Sequence, residues 1–288
     1  MAGTSMPLLS YRLVNVFAES AALTGNPLCV FENGSGLDET TMQALALQFN
    51  LSETTFILPP VAAGATARVR IFAPTFEMPF AGHPTLGTAH VVRELMKCGD
   101  DVSLQMKAGL IPVRAHGDEW TLQANSPRSH APEVTRAEFA QMLAINIEDV
   151  LDGAQWVDTG SEQLVIPLAS PNAVERCKPD PQLLARYSVG KKRNSLAYVW
   201  AQVDEHKIRA RFFFTKYGGV VEDPGTGSAC ANLGGWFIAR SSRLPLAFDV
   251  RQGDQVGRPC RLGLRVDSDR RIFVSGRVIA IGRGDISI

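Results

Sequence analysis

The chain has 288 residues, enough for two domains of ordinary size or one large one. Hydrophobic residues make up 45% of it and charged residues 20%, which excludes a disordered chain. Its 29 basic residues balance 29 acidic ones, so nothing in the charge favours a nucleic-acid or membrane partner, and a small-molecule ligand is expected.

The five cysteines, Cys29, Cys98, Cys177, Cys230 and Cys260, are scattered and odd in number. They form no C-x-x-C pair and have no histidine at zinc-ligand spacing, which fits a reduced, cytoplasmic setting and predicts no metal site. No secretory pattern opens the sequence and no segment reaches the length of a membrane span, so a cytosolic protein is expected. The short basic stretch Lys191-Lys192-Arg193 reads as a solvated loop.

In chain order, a loose start gives way to a strand over Tyr11 to Ala18, a turn at Thr24-Gly25-Asn26-Pro27 and a second strand over Leu28 to Phe31. Asp38 caps a helix that runs to Asn50, with Met42, Leu45, Ala46 and Phe49 on one face. A strand follows at once, and Glu53 sits at the junction. From the residues alone Glu53 is more readily a surface carboxylate than a catalytic one. Partial burial there would push such a group toward the range useful for acid–base work. Arg68 to Phe72 alternates as a half-buried strand, and the glycine-rich turn at Phe80 to Ala89 opens a helix through the small apolar run Thr88 to Val92. Three short strands follow at Val102 to Met106, Ile111 to Arg114 and Trp120 to Gln123, and Asn125-Ser126-Pro127 reads as the exit from a first domain.

Thr135 opens an amphipathic helix to Ile145, with Glu138 completing a capping box. Strands are expected at Ala154 to Thr159, Leu164 to Leu168, Leu196 to Val203 and Arg209 to Phe214. A second turn, Glu222-Asp223-Pro224-Gly225-Thr226-Gly227-Ser228, then opens an apolar helix over Ala229 to Ile238. Four strands close the chain, at Phe248 to Arg251, Cys260 to Val266, Ile272 to Gly276 and Val278 to Gly282, the last placed to return to the first domain. Each half thus holds strands, one surface helix, then strand, glycine turn and core helix, a plan that suggests duplication without residue identity between halves.

The two glycine turns carry the chemistry. Each leaves backbone N–H groups at the positive end of a helix, where an anion binds well, and two such ends facing one another would form one anion-binding cleft. His83, Asp223 and Ser228 lie in these turns and can move protons or hold oxyanions. Either turn alone is accounted for by tight-turn geometry; two of the same grammar in one chain favour function.

The segments Val16-Phe17 with Gly25-Asn26-Pro27, Leu51-Ser52-Glu53-Thr54, Glu77 to Thr85, Glu222 to Ala229, and Gln252-Gly253 with Gly257-Arg258-Pro259 occur in this order in the phenazine-biosynthesis isomerase-like (PhzF) family. The chain resembles that family over nearly its whole length. The resemblance implies an α+β, diaminopimelate-epimerase-like fold of two similar domains, each a rolled β-sheet around a central helix, with the active site between them. The domains expected are residues 1–125 with about 277–288, and residues 126–276. It also implies that Glu53 is the general acid/base, that His83 and Asp223 assist it, and that Gly82, Gly227 and Ser228 help hold the substrate. Gly225 departs from the alanine common at its place, which should only loosen the turn.

Epimerases and racemases of this fold carry a cysteine in each turn. The corresponding positions here read as Ala81 and Asp223, which disfavours racemisation by two thiols, and Cys230 reads as a core residue. The expected activity is a cofactor-independent isomerisation that shifts a proton within a small carboxylate-bearing substrate, resembling that of trans-2,3-dihydro-3-hydroxyanthranilate. The alternatives are an epimerase or racemase using Glu53 with Asp223 or His83, and a non-catalytic binding protein of the same fold. The resemblance also implies a homodimer.

Overall fold

The computed structural model describes residues 8–190 and 195–288, so the expected loose start and the loop at Lys191-Lys192-Arg193 lie outside the described residues. The chain divides into two compact units, the first running to Leu122 and including Gly276–Ile288, the second spanning Gln123–Ser275.

The first unit contains β1 (Leu8–Val16), β2 (Asn26–Phe31), α1 (Glu39–Phe49), β3 (Thr54–Leu58), β4 (Ala67–Phe72), β5 (Glu77–Met78), α2 (Gly82–Met96), β6 (Asp101–Met106), β7 (Gly109–His116) and β8 (Glu119–Gln123). The second contains β9 (Arg128–His130), α3 (Arg136–Leu143), β10 (Gln155–Asp158), β11 (Glu162–Pro167), α4 (Pro171–Arg176), α5 (Pro181–Tyr187), β12 (Leu196–Gln202), β13 (Lys207–Lys216), β14 (Gly219–Asp223), α6 (Gly227–Ala239), β15 (Leu246–Gln252), β16 (Cys260–Val266) and the start of β17 (Ile272–Ser287). The rest of β17 belongs to the first unit.

In the first unit the strands pair in the order β17, β1, β2, β3, β4, β6, β7, β8, and β8 returns to β17, where Val278 N–H donates to the Asp118 carbonyl at 2.9 Å. The wall is therefore closed and has no free edge. The β2–β3 and β4–β6 pairs are parallel and the other register pairs antiparallel. In the second unit the order is β9, β10, β11, β12, β13, β15, β16, β17, with β11–β12 and β13–β15 parallel. The sequence of pairings is the same strand for strand. In both units the second parallel crossover carries the central helix, α2 or α6, and a short extra strand, β5 or β14, comes just before it. The duplicated plan is thus a property of topology.

A helix walled in by strands is buried on all sides, and both helices have the composition this demands. Every residue of α2 from Gly82 to Val92 is buried, and in α6 only Ser228, Trp236 and the terminal Ala239 are not. Glycine sets how closely they approach the wall. A methyl at Gly87 would stand 2.6 Å from Leu28 Cδ2 and 2.8 Å from Val16 Cγ2. At Gly234 it would meet Ile272 at 2.9 Å, and at Gly235 Val157 at 2.7 Å.

The surface helices form where the caps direct. Asp38 accepts from Thr41 N–H at 2.8 Å, Asn50 ends α1 in the left-handed region at φ 49°, and Thr135 with Glu138 makes the expected capping box on α3. Several expectations need correction. The second unit carries three helices before α6, not one: α4 and α5 each begin with proline behind a capping Ser170 or Asp180, a pattern the sequence displays. Both glycine turns are shorter than expected, because the central helices already begin at Gly82 and Gly227 and Asp223 ends strand β14 opposite Phe212. The last two expected strands are one, β17, since Gly276 makes no turn. It serves a close approach instead, a methyl there standing 2.3 Å from Phe17 Cδ1.

Among the described residues no helix is long and apolar enough to cross a membrane. On helix propensity alone Gly87→Ala should gain about 1 kcal/mol, but overpacking against Leu28 and Val16 costs about 1–3 kcal/mol. We expect the variant to be less stable in urea unfolding; equal or greater stability would show that the wall yields to the methyl.

Candidate active site

In the first unit the site is assembled where β3 begins and α2 starts. Glu53 lies between the left-handed Asn50 that ends α1 and the first residue of β3, and His83 is the second residue of α2. Thr55 and Thr88 share a 2.8 Å hydrogen bond that pins β3 to α2 one turn further in. The result brings His83 Nε2 to 3.3 Å from Glu53 Oε2, with side-chain exposures of only 6% and 14%. The other ring nitrogen, Nδ1, stands 3.4 Å from Nδ2 of Asn26, a fully buried residue at the start of β2, and the ring hydrogen-bonds the Pro27 carbonyl.

Burial lowers the His83 imidazolium to about 3, and the Pro27 carbonyl, which favours the charged ring, does not reverse this. The positive end of α2 works in the same direction as burial. His83 is therefore neutral near pH 7. The neutral ring carries one hydrogen, which the Pro27 carbonyl or the Glu53 carboxylate can accept. A proton on either Nε2 or the carboxylate makes their contact a hydrogen bond.

In the second unit Asp223 and Ser228 flank the start of α6. Thr226 Oγ1 donates to Asp223 Oδ2 at 2.5 Å, and Gln252 Nε2 donates both to the Asp223 carbonyl at 2.8 Å and to Thr226 Oγ1 at 2.9 Å. Ser228 Oγ accepts from Gln163 Nε2 at 2.9 Å. Gln163 Oε1 in turn accepts from Asn232 Nδ2 at 2.8 Å, and Asn232 Oδ1 accepts from the Thr159 hydroxyl at 2.7 Å. Counted from the helix start, Thr226 occupies the place that Ala81 has in the first unit, whereas Asp223 stands four residues before Gly227.

The helix starts share one property. Asp38, Thr135, Ser170 and Asp180 cap α1, α3, α4 and α5 with their side chains, while Ala81 and Thr226 make no such bond to α2 and α6. The first-turn N–H groups around Gly82 and Gly227 thus keep the character of an anion site, which a capping oxygen would have consumed.

The sequence singled out Glu53, His83 and Gly82 in the first unit and Asp223, Gly227 and Ser228 in the second. It did not single out Gln163, Asn232, Thr226 or Gln252 as their supports. Asn232 left a readable trace, an amide within the otherwise apolar run of α6; its partners lie on other elements and left none. Cys230 is buried in α6, where desolvation pushes the thiol far above its ordinary value, so it is a core residue as expected. Among the described residues no group of three or more His, Cys, Asp or Glu side chains converges to hold a metal.

Comparison with known proteins agrees with this architecture. The chain is 39% identical to an uncharacterized isomerase of Pasteurella multocida, covering 97% of this chain and 94% of the relative. It is 32% identical to the trans-2,3-dihydro-3-hydroxyanthranilate isomerase of Pseudomonas chlororaphis, covering 96% and 98%. The crystal structure of a phenazine biosynthesis protein of the PhzF family from Bacillus anthracis superposes with a TM-score of 0.85, covering 98% of this chain and all of that one at 21% identity, and shows the same fold. A family model described as phenazine biosynthesis-like protein matches residues 14–284. With that match over nearly its whole length, the chain belongs to the PhzC-PhzF family of phenazine biosynthesis-like proteins.

Proposed function

We propose that the protein is an isomerase that shifts a proton within a small carboxylate-bearing substrate, with Glu53 as the general acid/base. The observation that carries this reading is the 3.3 Å approach of Glu53 Oε2 to the neutral, buried His83. A carboxyl group that takes a proton from one carbon and returns it to another must hold that proton meanwhile, and His83 Nε2 stands within reach of the carboxyl that carries it. The substrate carboxylate rests against the uncapped first turn of α2. His83 and Asp223 hold the polar substituents, and Gly227 and Ser228 contribute to binding. The names of the relatives support the reaction class, and the Pseudomonas chlororaphis relative suggests trans-2,3-dihydro-3-hydroxyanthranilate as the first substrate to test.

Turnover of that compound, followed by absorbance and by deuterium uptake from heavy water, tests the reading. Glu53→Gln keeps the shape and removes the base, so turnover should fall by at least about 10²–10⁴-fold, the usual worth of a positioned acid/base, and deuterium uptake should stop. Full turnover and exchange in Glu53→Gln would remove Glu53 from the mechanism.

The neutrality of His83 has its own consequence for stability. Its folded value, about 3, lies below that of the unfolded chain, so the unfolded state binds the extra proton between roughly pH 6.5 and 3. Stability is therefore complete above about pH 6.5 and declines as pH falls toward 3, with a slope of up to about 1.4 kcal/mol per pH unit from this one group. In urea unfolding at stepped pH, His83→Gln should lose stability less steeply than wild type over this window. Parallel curves would mean that His83 takes up its proton in the folded protein as readily as in the unfolded chain.

A further inference from the structure

The Gln252-Gly253 segment has no part in the chemistry described so far, yet it is built against the second glycine turn from two directions. Gln252 is fully buried at the end of β15. Its Nε2 faces the Asp223 carbonyl at 2.8 Å, and a carbonyl only accepts, so the amide orientation is settled by its partner. The Thr226 N–H, which only donates, lies 3.4 Å from Oε1 and requires the same orientation. Beside it Gly253, at φ +85°, lies flush against the turn, since a methyl there would stand 2.5 Å from the Pro224 carbonyl oxygen and 2.3 Å from that of Arg258.

This orientation decides what the Thr226 hydroxyl does. Gln252 Nε2 also donates to Thr226 Oγ1 at 2.9 Å, so the hydroxyl accepts from that side and its single hydrogen must go elsewhere. It goes to Asp223 Oδ2, at 2.5 Å. We propose that Gln252 is a positioning residue for the second glycine turn: its amide commits the Thr226 hydroxyl as a donor to Asp223, and so holds that carboxylate in one rotamer and in its charged form. A hydrogen bond to the charged form is what favours a carboxylate over its acid. The inference depends on the proposed function only in taking Asp223 as a site residue.

The test reads Asp223 in the resting full-length protein without substrate, so its outcome is separate from whether turnover is found. Aspartate carboxyl carbons are labelled with ¹³C, the Asp223 resonance is assigned by its absence in Asp223→Asn, and its titration midpoint is followed by NMR. Thr226→Val should raise the midpoint by about one pH unit, the effect of one lost hydrogen bond to the charged form, and Gln252→Met, which leaves the hydroxyl free to turn away, should raise it by part of that amount. Thr226→Ser, which keeps the hydroxyl, should restore the wild-type curve. All three leave every other charged side chain in place, including Glu222, next to Asp223 in the chain, and Arg211, paired with Glu222 at 2.7 Å. The shift therefore reports the hydroxyl. Where Gln252→Met does not fold, Gln252→Leu takes its place. A folded Gln252 variant with an unmoved Asp223 curve overturns the role of Gln252, and an unmoved curve in Thr226→Val overturns the relay.

Discussion

A helix enclosed by a wall of strands can come close to that wall only where its side chains are nearly absent, and this constraint underlies both units. Gly87 in α2 and Gly234 and Gly235 in α6 are the points of closest approach, each leaving no room for a methyl group. The apolar, small-residue composition of both helices follows from the same enclosure. The parallel pairs β4–β6 and β13–β15 fit the same plan, since parallel neighbours need a crossover connection and the central helix lies within it.

Enclosure also shapes the chemistry. The two central helices do not seal their first turns with a capping oxygen, since Ala81 and Thr226 make no such bond, in contrast to the four capped surface helices. Polar groups near those starts are instead held from the side. His83 rests between Asn26, Pro27 and Glu53; Ser228 is held by Gln163; Asp223 by Thr226 and Gln252. Buried amides suit this work because each presents a donor and an acceptor at fixed angles, and it is the acceptor-only or donor-only nature of their backbone partners that orients them. The two units solve the same topological problem with different polar sets: an imidazole against a carboxylate in the first, chains of amides and hydroxyls in the second.

Much of this was legible in the chain because it is local. Asp38 and Asn50 bracket α1, Thr135 with Glu138 starts α3, and the alternation in Arg68 to Phe72 marks a strand, all within a few residues. The repeated grammar of the glycine turns marked both helix starts, and the family motifs pointed to Glu53, which its local sequence did not distinguish from a surface residue. Where the reading fell short, the missed signal was local in the capped prolines that open α4 and α5, and elsewhere a contact between elements had decided the matter. Gly276 looked like a break and is a close approach to Phe17, distant in sequence. Asp223 looked like part of a turn and is the end of a strand because β13 lies beside it to accept the pairing.

The sequence by itself thus determined the caps of α1 and α3, the strand alternation and the presence of the two glycine turns, because caps, period and glycine conformations act over distances of a few residues. Only the tertiary structure decided which groups meet. Glu53 and His83 are thirty residues apart, and Asp223 and Gln252 nearly as far, so their contacts depend on how the strands of each unit pair around its helix. The neutrality of His83 was decided in the same way, since the desolvation that removes its proton is the work of the whole folded unit.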